Sequence, residues 1–431
     1  MTTGPQRAVA IVSNSVSAKY GGEAVLPLHY FRKLRGRGVK VFLICHERTL
    51  DELTESLGAD VQFVHFIRDS KLHVLLDRIG NALPKRLLIS HLIAWDVHRY
   101  ARGLIRELVK THGVSIVHQP SPVSPKFPSN LMNLGVPVVI GPMNGGMTYP
   151  PGFGKSDSIA TGILVRIGRG VSNVMNRVIS GKHRAALLLV ANARTREALP
   201  VSHDRVMELV ENGVDLLRFK RADSSGRESL AKESTVTFLF AGRFEPWKGL
   251  DLLLRAWGKM MTHSSGQRAC SKMHLRIIGD GADRGHVEQL RCELGIKGSV
   301  TLEGFMPQEE VAKAMREADV FVLPSYYECG GAVILEAMAS VTPCIALKWG
   351  GPADYLDNTC GILITPTSRQ QVIDDLARAM TDLANHPERR RSMGEAGLTR
   401  ATNLFDWERK IDQILEIYEK VGANQRETAI G

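Results

Sequence analysis

The residues with the most evident chemistry lie in Pro324-Ser-Tyr-Tyr-Glu-Cys-Gly-Gly-Ala-Val-Ile-Leu-Glu336. The preceding apolar run, Asp319–Leu323, reads as a buried strand that feeds a loop carrying Glu328. Gly330 and Gly331 then open a helix. Ligands of doubly wound sheets sit beyond the carboxyl ends of the strands. A helix N-terminus preceded by glycine leaves backbone N–H groups for phosphate oxygens. Glu336 stands inside that helix, about 7 Å deeper than its start at ~1.5 Å per residue. Two carboxylates at two depths suit hydroxyls of two sugars, such as a donor hexose and a nucleotide ribose. A surface carboxylate plus a capping group would give the same spacing by chance. The strand–loop–GlyGly–helix context favours the site.

The second constellation is Ala241-Gly-Arg243-Phe-Glu-Pro-Trp-Lys248-Gly249. It follows the apolar run Thr235–Phe240 and precedes a helix from Leu250. The planar fork of Arg243 can grip a diphosphate, and Lys248 can add a point charge. Such cations can neutralise a departing nucleoside diphosphate. The bland alternative is two exposed cations on a turn.

These residues need elements to hold them. Short β-rich runs alternate with helix-period segments along the whole chain: Ala8–Val12, Val39–Cys45, Ser115–His118, Pro137–Ile140, Ala186–Val190, Thr235–Phe240, His274–Ile278, Ser299–Leu302, Asp319–Leu323 and Cys344–Leu347. Apolar strands separated by amphipathic helices define parallel α/β units. Their number exceeds one ordinary sheet, so the expectation is two doubly wound domains. The boundary is placed at Asp215, before the polar stretch Arg221–Ser234. That gives 1–215 plus a crossover helix in 405–431 as the first domain, and 216–404 as the second. Phe405–Val421 is helix-periodic.

The second half resembles the donor domain of the retaining family 4 glycosyltransferases, glycosyl transferases group 1, of GT-B fold. Glu328 and Glu336 match that family's Glu-x7-Glu motif. Gly242-Arg243 with Lys248-Gly249 matches its GR…KG motif. Gly279-Asp-Gly281, Val300-Thr-Leu-Glu-Gly304 and Asn212-Gly-Val-Asp215 match further blocks, and Tyr20-Gly-Gly-Glu23 resembles its first glycine loop. The resemblance implies two Rossmann-like domains facing a cleft and a glycosyltransferase of the hexosyltransferase class. The donor would be a nucleotide-diphospho-sugar and the acceptor a hydroxyl, with retention at the anomeric carbon. By the same resemblance Arg243 and Lys248 bind the diphosphate and Glu336 the ribose. Glu328 contacts the transferred sugar. The backbone of Gly330, Gly331 and Ala332 meets sugar and phosphate, and Gly21–Gly22 approaches the diphosphate. His118 resembles the family's first-domain histidine near the sugar.

Two departures stand out, one of them the Asp of Gly350-Gly-Pro-Ala-Asp354 where Glu is more common. The family text near the first glutamate is Glu-Gly-Phe-Gly, whereas this chain has Glu328-Cys-Gly-Gly331. In the first half, Pro120-Ser-Pro-Val-Ser-Pro125 and Gly141-Pro-Met-Asn-Gly-Gly-Met-Thr-Tyr-Pro-Pro151 resemble a branch associated with polysaccharide or glycolipid assembly. Both follow expected strands, so Asn144 and Gly145 are assigned to the acceptor side. A proline-rigid turn is the structural alternative.

No Asp-x-Asp metal motif occurs, so no metal and no cofactor beyond the nucleotide-sugar are expected. A nicotinamide-dependent oxidoreductase should show Gly-x-Gly-x-x-Gly after its first strand. Ser13-Asn-Ser-Val-Ser-Ala-Lys-Tyr-Gly-Gly lacks it. A nucleic-acid-binding module should cluster its cations with stacking aromatics, and none of the basic runs does. The six cysteines include no CxxC pair, which suits a reducing, cytoplasmic setting.

The chain has 431 residues and a net charge of +10. Residues 1–220 hold 29 Lys/Arg and 16 Asp/Glu, net +13, and the remainder is net −3. The second half already contains an anion site. The excess positive charge therefore points to an anionic membrane face or a phosphorylated, lipid-linked acceptor. A basic amphipathic helix over Ile163–Ile179 fits the first of these, and an ordinary half-buried helix is its rival. No apolar run reaches the ~18 residues of a spanning helix. A cytoplasmic protein, peripheral on the cytoplasmic face of a membrane, is the expectation.

Overall fold

The structure is a computed structural model that describes residues 8–17, 19, 22–82, 87–154, 170–202, 204–219, 235–263 and 273–430. Gly21, the stretch Arg221–Ser234 and residues 163–169 of the basic helix lie outside the described residues.

The chain divides into two compact units. One comprises 1–146, 157–211 and 410–431, and the other 147–156 and 212–409. The first holds a seven-stranded sheet built from β1 (Ala8–Val12), β2 (Lys40–His46), β3 (Val64–Ile67), β4 (Val114–Gln119), β5 (Val138–Met143), β6 (Leu187–Val190) and β7 (Val206–Glu208). Its order is β3-β2-β1-β4-β5-β6-β7, with every pairing parallel. The second holds a six-stranded sheet of β8 (Val236–Ala241), β9 (Met273–Ile278), β10 (Val300–Gly304), β11 (Val320–Leu323), β12 (Cys344–Leu347) and β13 (Gly361–Ile364). Its order is β10-β9-β8-β11-β12-β13, again all parallel.

Central strands are buried on both faces, as β1, β11 and β12 show throughout their length. Helical crossovers cover both faces of such sheets, which is why these strands read as unbroken apolar runs. In each sheet the order reverses beside the first strand of the unit, between β1 and β4 and between β8 and β11. Loops diverge at such a switch point and leave room for a ligand.

The C-terminal helix Trp407–Ile430 begins in the second unit, and from Lys410 it is part of the first. Val214 N–H bonds Phe405 O at 2.8 Å and Trp407 N–H bonds Val214 O at 3.2 Å, which fixes its start. Farther along, buried Ile411, Ile414, Ile417, Tyr418 and Val421 form its apolar stripe. Lys410 Nζ caps this arrangement by donating to Val210 O.

Candidate active site

The second unit brings the two motifs together at its switch point. After β8, Gly242 N–H bonds Ile278 O at 3.0 Å and Phe244 N–H bonds Asp280 O at 2.9 Å. The chain then makes one 3-10 turn, Pro246–Lys248, before the helix Leu250–His263. Gly249 closes that turn at φ +72°, and a Cβ there would stand 2.4 Å from Pro324 O. Only glycine allows this left-handed, close approach. The GR…KG loop is therefore seated on the loop that follows β11.

The motif Gly279-Asp-Gly281 explains itself in the same way. Gly279 has φ +133°, and a Cβ on it would lie 1.9 Å from Gly242 O. A Cβ on Gly281 would lie 2.5 Å from Phe244 O. These glycines cradle the backbone on both sides of Arg243. Arg243 itself is exposed and has no hydrogen-bond or ion-pair partner among the described residues.

Lys248 Nζ is ion-paired with Glu328 Oε2, both side chains being largely buried. Ser325 Oγ donates to the same carboxylate oxygen at 3.2 Å. The Glu328 carbonyl accepts Gly351 N–H at 2.9 Å. Gly331 follows at φ +83° and caps the helix Ala332–Ala339 without a side chain. The amides of Gly331, Ala332 and Val333 have no acceptor among the described residues. They are the unsatisfied donors of a helix start. The Lys248 ammonium and these amides adjoin Glu328, and the exposed Arg243 guanidinium is carried by the same loop as Lys248. The set can bind a diphosphate and present a carboxylate to a neighbouring hydroxyl.

Glu336 lies on the same helix, largely buried. Burial pushes its carboxyl up to about 7, and the Arg218 charge and a hydrogen bond with Gln308 only partly offset this. Arg218 sits on the short helix Leu216–Phe219, and its side chain bonds Gln308 and pairs with Glu309 at 3.0 Å. Arg218 and Gln308 carry no motif of their own, and the sequence reading missed both.

The first-unit residues singled out from sequence are placed as follows. His118 lies inside β4, one residue before its end, and is fully buried. Its Nε2 meets Gly141 O at 2.6 Å and its Nδ1 meets the Tyr418 hydroxyl at 2.7 Å. Tyr30 packs edge-on at 4.9 Å. Burial lowers its pKa to about 4. With both nitrogens bonded and no exposed surface, this histidine ties the C-terminal helix to the sheet.

Asn144 and Gly145 follow β5 and are held by partners within the first unit. Asn144 is buried and donates from Nδ2 to Glu211 Oε1 at 2.6 Å. Gly145 N–H bonds Thr195 Oγ1 at 3.0 Å, and a Cβ on Gly145 would strike the Pro125 ring at 2.5 Å. Gly22, at φ +70°, is exposed and opens a 3-10 turn, Gly22–Val25.

What the first unit offers instead is a cavity of about 320 Å³ beyond β1 and β4, lined in part by Asn14, Ser15, Glu23, Arg48, Ser121 and Pro122. Glu23 Oε1 accepts Val123 N–H at 2.9 Å on its rim. Nearby, His46, Asp69 and His73 cluster as a cation site would. However, Arg48 Nη2 lies 3.4 Å from Asp69 and 3.2 Å from His73 Nε2. His46 Nδ1 accepts Arg48 N–H at 3.2 Å, and its Nε2 lies 3.0 Å from Asp69 Oδ1 without hydrogen-bond geometry. The cluster is an ion-pair network around Arg48.

Two parallel, doubly wound sheets, each with loops gathered at its switch point, define the GT-B class. Residues 223–400 match the Glycosyl transferases group 1 family. That likeness lies in the second unit. The D-inositol 3-phosphate glycosyltransferase of Segniliparus rotundus is 32% identical over 219 residues, 49% of this chain and 46% of the relative. The chain thus spans about half the length of the curated relatives it matches. A glycosyltransferase from Rickettsia africae superposes with a TM-score of 0.66 at 15% identity, covering 97% of this chain and 99% of the other. Anabaena HepE, solved in complex with UDP-glucose, gives 0.62 at 16% identity, covering 96% and 99%. At such identities the likeness to solved structures is one of fold.

Proposed function

We propose that this chain is a retaining glycosyltransferase that moves a sugar from a nucleotide-diphospho-sugar to a hydroxyl acceptor. The acceptor is a lipid-linked or growing polysaccharide or glycolipid intermediate. The observation that carries the reading is the Lys248–Glu328 pair beside the unpartnered Arg243 and the open amides at Gly331.

In this reading the second unit holds the donor. Arg243 and the helix amides take the diphosphate, and Lys248, with three N–H groups, bridges phosphate and Glu328. Negative charge grows on the leaving diphosphate as the glycosidic bond breaks, and these donors stabilise it without rearranging. No protein base is assigned, because an oxygen of the departing β-phosphate can accept the acceptor's proton. Arg243 and Lys248 supply the charge that a metal supplies elsewhere, so the reaction is metal-independent. Glu336 accepts hydrogen bonds from the ribose hydroxyls. Glu328 accepts from a hydroxyl of the transferred sugar. The acceptor enters the cavity beyond β1 and β4.

A panel of nucleotide-sugars scored by thermal shift, then by transfer to lipid-linked acceptors in the presence of EDTA, tests this. Stabilisation by at least one nucleotide-sugar and product of retained configuration are expected. No stabilisation by any donor, or product of inverted configuration, overturns it.

A further inference from the structure

Among the described residues, one helix of the first unit is turned inside out. Residues 170–178 are helical. Their inward groups are polar: Ser172 and Asn176 are buried, and both donate to Lys126 O. Val174 and Val178, one turn apart, are 60% and 76% exposed. A folded chain normally buries valine and exposes asparagine. Exposed apolar residues gathered on one face mark an interaction site.

The helix Leu87–His112 buries an ordinary apolar face, Ala94, Val97, Ala101, Ile105 and Leu108, yet also shows apolar side chains to solvent. Leu92 and Trp95 are exposed on it, followed at helical spacing by Arg99, Arg102 and Arg106. On the adjoining helix Lys71–Ala82, Leu72 and Leu75 are exposed as well. The helices share a neighbour, the loop after β4. Asn130 N–H bonds His98 Nδ1 at 3.3 Å on the long helix, while Lys126 O receives Ser172 and Asn176. Ile89 and Ile93, from the same long helix, line the cavity beyond β1 and β4.

Charge decides the occupant. Two of the acidic residues here are engaged: Asp77 pairs with Arg48, and Asp96 is buried and accepts from Ser70, which leaves Glu107 exposed among the arginines of the long helix. Arg99 and Arg177 have no acidic partner among the described residues. An isologous contact with a second copy would set these cations against themselves. An anionic bilayer satisfies both halves of the surface: interfacial Trp and Val enter the headgroup boundary, and each cation near the surface strengthens binding about fivefold.

We propose that the first unit docks on an anionic membrane through Leu92 and Trp95 of the helix Leu87–His112 and Val174 and Val178 of the helix 170–178. Docked so, the cavity that receives Ile89 and Ile93 lies on the element that meets the lipid. This rests on the proposed lipid-linked acceptor and names the surface that reaches it. No helix among the described residues is long and apolar enough to cross a membrane, so the contact is interfacial.

The test is co-sedimentation of the full chain with phosphatidylcholine vesicles, with and without about a third phosphatidylglycerol. Binding to the anionic vesicles alone is expected, lost at ~0.5 M salt as screening shortens the Debye length. Val174→Glu/Val178→Glu and Leu92→Glu/Trp95→Glu should each weaken it about tenfold. The first pair should bind nucleotide-sugar as the parent does. Val174→Ser/Val178→Ser, a milder change at exposed positions, should weaken binding in the same direction. Equal binding to neutral vesicles, no vesicle binding, variants that bind like the parent, or a parent dimer that the glutamates dissociate would each overturn the surface. Nucleotide-sugar binding measured without vesicles separates the two readings. Vesicle binding with no donor binding sinks the transferase and leaves the surface. Donor binding with no vesicle binding does the reverse.

Discussion

Donor affinity should depend on pH through Glu336. Burial raises its carboxyl to about 7 in the unliganded protein. A carboxylate that accepts two ribose hydroxyls binds best when ionised. About a tenth of the molecules carry that charge at pH 6 and about nine tenths at pH 8. Apparent affinity scales with the competent fraction. The dissociation constant should therefore rise about tenfold from pH 8 to pH 6, or ~1.4 kcal/mol. Titration calorimetry with an intact nucleotide-sugar is the assay, because its diphosphate diester does not change charge in this window. In Glu336→Gln the amide oxygen still accepts, but nothing titrates, so the curve should be flat. A pH-independent parent, or a variant that keeps the parent's slope, refutes the assignment of Glu336 to the ribose.

Stability should follow the same carboxyl with opposite consequence. A folded pKa raised above the ordinary 4.5 weakens the native state as pH climbs through that interval. Glu336→Gln should thus match the parent in urea melts at pH 4 and exceed it by up to ~3 kcal/mol at pH 8. His118 acts at the acid end: its folded pKa of about 4 means stability is full above 6.5 and falls by up to ~3 kcal/mol towards pH 4. Tyr418→Phe should cost ~1–2 kcal/mol in a denaturant melt by stripping Nδ1 of its buried partner, with little change in transfer rate. Gly279→Ala should abolish donor stabilisation in a thermal-shift assay and lower Tm, since its Cβ cannot share space with Gly242 O.

Much of the framework was legible because central parallel strands are apolar throughout. β1 and β12 coincide with the runs read from sequence, and the others shift by one to three residues at an end. Three strands were missed, β3, β7 and β13. Each is short and lies at or near a sheet edge, and β7 (Val206–Glu208) is largely exposed, so its residues carry no apolar run. The loops around Lys248 and Glu328 were legible for a different reason: glycine, Arg, Lys and Glu at fixed spacing accompany backbone contacts that only glycine permits. The surroundings of His118, Asn144 and Gly145 were not legible, because a polar residue after an apolar strand looks the same whether it faces a ligand or a buried partner. Their partners, Tyr418 and Glu211, lie 300 and 67 residues away. The inverted helix 170–178 was half visible. Its apolar stripe reads from sequence, but the side it turns to solvent depends on the Lys126 carbonyl.

The central claim is that the second unit grips a nucleoside diphosphate with Arg243, Lys248 and the amides at Gly331. Calorimetric titration of nucleoside diphosphates into the parent, Arg243→Ala and Lys248→Ala tests it most directly. The account predicts saturable binding by the parent, a loss of about tenfold or more in each variant, and unchanged thermal unfolding without ligand. Parent-like affinity in both variants would contradict it.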